Sequence, residues 1–143
     1  MPSLSQAHFE SSREQLWARL FCSLLTFGAA QGVVVLGLYA FMGPQTTPDD
    51  LPLGLQLDPL HGVIHLLSGL IGGYIGFWRP SAAVRFTQLF AVFYLLLAVV
   101  GTFTSMHFGM QIAPPENVLH WILGLIAATI GFGPFLVSAA RRG

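Results

Sequence analysis

Four stretches of this chain are long enough and apolar enough to cross a bilayer, and that length of uncharged sequence constrains the fold more than any motif. A membrane-crossing helix needs about 20 mostly apolar residues. The runs from Leu16 to Met42, Leu60 to Trp78, Phe86 to Met106 and Asn117 to Val137 each meet that need. In hydrocarbon every backbone N–H and C=O must be satisfied internally, so such runs can only be helices. The composition agrees. Only 8% of the 143 residues are charged and 54% are apolar, against roughly 25% charged in an ordinary soluble domain. The expected fold is therefore an all-α membrane protein, a four-helix bundle formed by one domain over residues 1–143. The first run is too long for a signal-peptide core and no small-residue cleavage site follows it, so it reads as a retained span.

Charge orients the bundle. All six basic residues are arginine. Arg13 and Arg19 fall before or at the start of the first span, Arg79 and Arg85 between the second and third, and Arg141 and Arg142 after the fourth. Residues 43–59 and 107–116, on the other side, carry acids and prolines but no arginine. The positive-inside rule places the arginine side, with both termini, in the cytoplasm. The polar residues 1–15 are expected to be cytoplasmic, with Ser11 and Glu14 at capping-box spacing opening the first helix. Trp17, Trp78 and Trp121 fall near span ends, where indole rings favour the interface. The net charge is zero and no basic run suits nucleic acid. Cys22 stands alone, so no internal disulfide can form.

The second and fourth spans resemble each other. GVIHLLSGLIGGYIGF (Gly62 to Phe77) aligned with NVLHWILGLIAATIGF (Asn117 to Phe132) gives eight identities in sixteen positions, including His65 with His120, Gly69 with Gly124, and Gly76 with Gly131. The first and third spans match weakly, through Arg19 with Arg85 and Phe27 with Phe93. A duplicated two-helix hairpin, repeated in parallel, is the expectation. Gly28, Gly32, Gly69, Gly72, Gly76, Gly124 and Gly131 read as packing positions, because small residues let helix backbones approach closely in lipid.

Polar groups inside the spans are the functional leads. They are His61, His65, His120 and Asn117 near the outer side, Gln31 midway along the first span, and Thr102, Thr104 and Ser105 toward the outer end of the third. His61 and His65 are four apart and share a helix face. His65 lies about 7–8 Å below the boundary at the α-helical rise, and His120 lies at matching depth. Three readings follow. The first is interhelical hydrogen bonding to Asn117, Glu116, Asp58 or a carbonyl, at about 0.6 kcal/mol each. The second is haem or chlorophyll ligated axially by His65 and His120, with His61 a lesser candidate. The third is a proton or metal site built from His61, His65, Glu116 and Asp58. Gln31 reads as a hydrogen-bonding contact between helices. No catalytic motif is present: there is no nucleophile elbow, phosphate loop, zinc-protease helix or paired intramembrane carboxylate.

The DPLH-x-x-x-H-L-x-x-G segment opening the second span and the N-x-L-H-x-x-x-G segment opening the fourth resemble a family of small bacterial four-span proteins known only as a domain of unknown function. The resemblance covers about residues 60–140 and rests on Asp58, His61, His65, Gly69, Asn117, His120 and Gly124. Family members often carry asparagine after the first histidine, where this chain has Gly62. The resemblance implies a bacterial inner membrane, photosynthetic membranes included, and implies no activity. Three functions are consistent with these readings. One is a non-enzymatic accessory or assembly subunit packing against other membrane-protein subunits. The others are a tetrapyrrole-binding protein using His65 and His120, and a small transporter or channel.

Overall fold

The computed structural model describes residues 4–43, 58–104, 106–107 and 109–140. Ser105, the acids Asp49 and Asp50, and Arg141 and Arg142 lie outside the described residues. The chain is nearly all helical: α1 (Leu4–Leu24), α2 (Thr26–Met42), α3 (Pro59–Trp78), α4 (Ala83–Phe103) and α5 (Pro114–Ala140). A 3-10 turn (Pro80–Ala82) joins α3 to α4. Two short antiparallel strands, β1 (Met106–His107) and β2 (Met110–Gln111), precede α5, with Gly109 at φ 79° between them.

Four segments are long and apolar enough to cross a membrane: Ser12–Met42, Pro59–Trp78, Pro80–Phe103 and Pro114–Gly133. The exterior is apolar, with Phe41 90% and Phe103 86% exposed, while His61, His65, His120, Asn117 and Glu116 are buried. That inversion of a soluble protein's arrangement is what a hydrocarbon solvent favours. This is a multi-pass membrane protein.

The first crossing is not one uninterrupted helix. At Leu25 the ladder changes register: Gly28 N–H donates to Leu25 O at 2.9 Å, a 3-10 bond, and Leu25 N–H is shared between Phe21 O and Cys22 O at 3.2 Å each. Hydroxyls compete with the backbone here. Ser23 Oγ donates to Arg19 O at 3.0 Å and Thr26 Oγ1 to Ser23 O at 2.7 Å, a back-bonding known to bend helices. The helical stretch of 31 residues would be about 46 Å long at 1.5 Å per residue, well beyond a hydrocarbon core of about 30 Å. The expectation that Ser11 and Glu14 open the first helix is overturned. α1 begins at Leu4, because nothing between Leu4 and Ser11 breaks a helix, and Ser11 lies within it.

Capping sets the other starts. Asp58 Oδ1 accepts the His61 N–H at 2.9 Å and Pro59 occupies the first helical position of α3, both favoured there. Pro114 and Pro115 open α5, and Glu116 reaches back to accept the Ala113 N–H at 2.8 Å, half of a capping box.

α4 packs along α5, α2 along α3, and α1 touches α3, α4 and α5. Glycines form the seam of α3 with α1 and α2. A Cβ at Gly69 would lie 2.6 Å from Leu25 O, one at Gly76 2.6 Å from Ser23 N, and one at Gly32 2.6 Å from Leu66 N. Gly72 faces Leu25. On the α4–α5 seam, Gly124 faces Leu95 and Gly131 faces Gln88 at 2.9 Å. Gly28 is less tightly held, with His65 O at 3.9 Å. Phe21, Leu25, Phe90, Ala91, Tyr94 and Ala127 form the main apolar core. One end of the bundle is basic. Arg19 Nε donates to Gly76 O at 3.0 Å, Gln15 Nε2 to Pro80 O at 3.5 Å and Arg79 Nε to Tyr74 Oη at 3.5 Å. The last bond raises the already high pKa of Arg79. The opposite end holds His61, His65 and His120.

Candidate functional site

His61 and His65 project from one face of α3, one turn apart, and His120 comes from the first turns of α5. The three rings meet. His61 Nε2 and His65 Nε2 are 2.9 Å apart. Ring centroids are separated by 4.6 Å (His61–His65), 5.4 Å (His61–His120) and 6.3 Å (His65–His120). One ligand-capable atom from each lies within 4.8 Å of the others. All three are buried, His120 to 1% exposure. α3 and α5 belong to different hairpins, and these side chains are where they touch.

The surroundings orient the rings. Glu116 Oε2 lies 3.9 Å from His61 Nδ1, so the carboxylate that caps α5 also faces the far nitrogen of His61. With Nδ1 turned to Glu116, Nε2 of His61 points into the cluster. Tyr94 forms the floor, 5.4 Å edge-to-face from His120 and 6.4 Å from His65, and stacks on Phe90 at 3.9 Å. Met110 of β2 and Ile112 just after it are buried with Leu97 and pack against Ile64, which precedes His65 on α3. Beside the cluster, Asn117 Nδ2 donates to Ala98 O at 3.2 Å and Thr102 Oγ1 at 3.4 Å, and Trp121 Nε1 donates to Thr102 Oγ1 at 3.2 Å. Asn117 Oδ1 is buried without a hydrogen-bond partner among the described residues and abuts Gly101.

Two Nε2 atoms at 2.9 Å cannot both carry protons. Either they share one, or their lone pairs converge on a cation. Three buried imidazoles with ligand-capable nitrogens within 4.8 Å of one another form, when unprotonated, a donor set suited to zinc, copper, nickel or iron. A carboxylate behind one of them matches the carboxylate–histidine arrangement that fixes a ligand's tautomer.

His65 and His120, read as a facing pair, are joined by His61, whose ring contacts both. A macrocycle between His65 and His120 would have to displace it. Asp58 is placed as the cap of α3. Glu116 enters the site, but through His61. Gln31 lies apart from the cluster, on the exposed face of α2. Tyr94 was not among the sequence candidates. Only the path of α4 brings it against His65 and His120, and no spacing signals it.

A family model described as a domain of unknown function, DUF4383, matches residues 15–133. No curated protein and no solved structure gives a significant match.

Proposed function

We propose that this chain, which belongs to the DUF4383 family, is a non-enzymatic membrane protein that binds a first-row transition-metal ion through His61, His65 and His120. The carrying observation is the convergence of three buried imidazoles from two hairpins. Zinc–imidazole bonds of 2.0–2.1 Å put tetrahedral ligand atoms about 3.3 Å apart. The 2.9 Å closest approach and the 4.8 Å limit of the cluster bracket that value, so modest side-chain rotation completes the site. Three protein ligands leave a fourth position for water or a small anion. Glu116 stands behind His61, its Oε2 3.9 Å from Nδ1, where its charge favours the tautomer protonated at Nδ1 and leaves Nε2 to ligate.

The positive-inside rule supports an arginine end in the cytoplasm and a metal site near the opposite face of a bacterial inner membrane. The seams support the duplicated hairpin. Gly76 O accepts Arg19 Nε, and its sequence mate Gly131 O accepts Gln88 Nε2 at 2.7 Å, each from the preceding crossing. The metal reading is favoured over a tetrapyrrole because His61 contacts both His65 and His120. It is favoured over an accessory role in a larger complex because most of the packing glycines are engaged within the chain.

Titration calorimetry of the detergent-purified chain with Zn(II) tests the reading. One equivalent should bind, and His61→Ala, His65→Ala and His120→Ala should each weaken binding at least tenfold. Equal weak binding by the natural chain and a triple alanine variant would overturn it.

A further inference from the structure

We propose that two copies of this chain pair through the outer face of α2, with their Gln31 amides hydrogen-bonded to each other across a twofold axis normal to the membrane. The inner face of α2 is engaged: Ala29 and Gly32 are buried against α3. The outer face is not. Phe27, Gln31, Val34, Leu38 and Phe41 are all exposed, and they follow one another at spacings of four, three, four and three. That is the a/d seam of a two-stranded coil.

Gln31 stands at the centre of this seam. It is eleven residues from the end of α2 at Met42, or about 16 Å at the helical rise, near the middle of a hydrocarbon core about 30 Å thick. Its amide offers two donors and an acceptor. It makes no hydrogen bond to another described residue. No described residue satisfies the amide, and hydrocarbon offers little water to do so, so a neighbouring chain is the natural source of its partner.

The chemistry favours an identical one. Copies inserted under the same charge rule share an orientation, so their Gln31 residues lie at equal depth. A primary amide complements itself, because each copy donates N–H to the other's carbonyl. A single polar residue at one seam position is also how two-stranded coils specify register and number. Ala30 flanks the seam, and Gly37, seven residues on, has open space where its Cβ would be, leaving room for a neighbouring backbone. This contact is isologous, as closed dimers require, and does not depend on metal binding.

The test uses the full chain in native-like lipid. Native mass spectrometry from nanodiscs or mild detergent should give a dimer. Gln31→Leu should raise the dimer dissociation constant at least tenfold, while Gln31→Asn should retain most of the association. In membranes, a C22A/Q31C chain should form a disulfide-linked dimer on mild oxidation, and a C22A/L70C chain, with its cysteine on the exposed face of α3, should not. A monomer at every protein-to-lipid ratio with no cross-link at 31 would overturn the proposal. So would unchanged dimerisation of Gln31→Leu, or a cross-link at 31 to a different protein.

Discussion

Individual residues differ sharply in how much change they tolerate, and the glycines illustrate why. A side chain at Gly69 would meet the backbone of Leu25 and Ala29, which cannot move aside without parting two helices. Gly37 has nothing within 4 Å. Gly69→Val should therefore lower stability by about 1–3 kcal/mol, the usual cost of overpacking. Gly37→Ala should change it by less than about 0.5 kcal/mol, as for an unconstrained surface site. Denaturation in mixed detergent micelles measures both. The two acids at the histidine end also separate. Asp58→Ala removes the cap of α3 and should cost about 0.5–2 kcal/mol while leaving ligand identity intact. Glu116→Gln retains a capping oxygen for Ala113 but loses the charge facing His61. It should weaken zinc affinity about 10–100-fold, the range for a partner behind a ligand. Calorimetry distinguishes the two: if Glu116→Gln bound zinc as tightly as the natural chain, the carboxylate would have only its capping role.

At the level of helices and turns, the crossings were legible in the sequence because twenty uncharged residues leave a chain few choices. The break at Leu25 was not. It arises from Ser23 and Thr26 hydroxyls competing for carbonyls, and from Gly69 pressing on the same turn, and neither changes the hydropathy of Leu16–Met42. The early start of α1 escaped for a related reason, since the mixed residues 4–11 carry no period that separates helix from coil. Of the site, the matched depth of His65 and His120 could be read from the aligned spans. The central place of His61 could not, because it depends on two hairpins meeting. The outward turn of Gln31 was hidden as well, since α2 is apolar nearly all round. Cysteine accessibility tests the orientation of these elements. Cysteines placed near Arg79 and near Gly109 should label from opposite sides of the membrane, Arg79 from the cytoplasm. Labelling of Arg79→Cys from outside would reverse the assignment.

For the molecule as a whole, the histidine cluster joins two halves that otherwise meet chiefly through α1. An ion bound by α3 and α5 together ties those halves, so it should stabilise the entire fold rather than one helix. Free zinc at 100 times its Kd should add about 2.7 kcal/mol by mass action, visible as a rise in Tm that disappears in His120→Ala. A rise retained in that variant would place the ion elsewhere. The most direct measurement is the zinc X-ray absorption spectrum of the purified, zinc-loaded protein. The expected spectrum has nitrogen or oxygen scatterers at about 2.0–2.1 Å and the outer-shell pattern of three imidazoles, falling to two in His120→Ala. A first shell with no more than one imidazole, or a spectrum unchanged by that substitution, would contradict a metal site built from His61, His65 and His120.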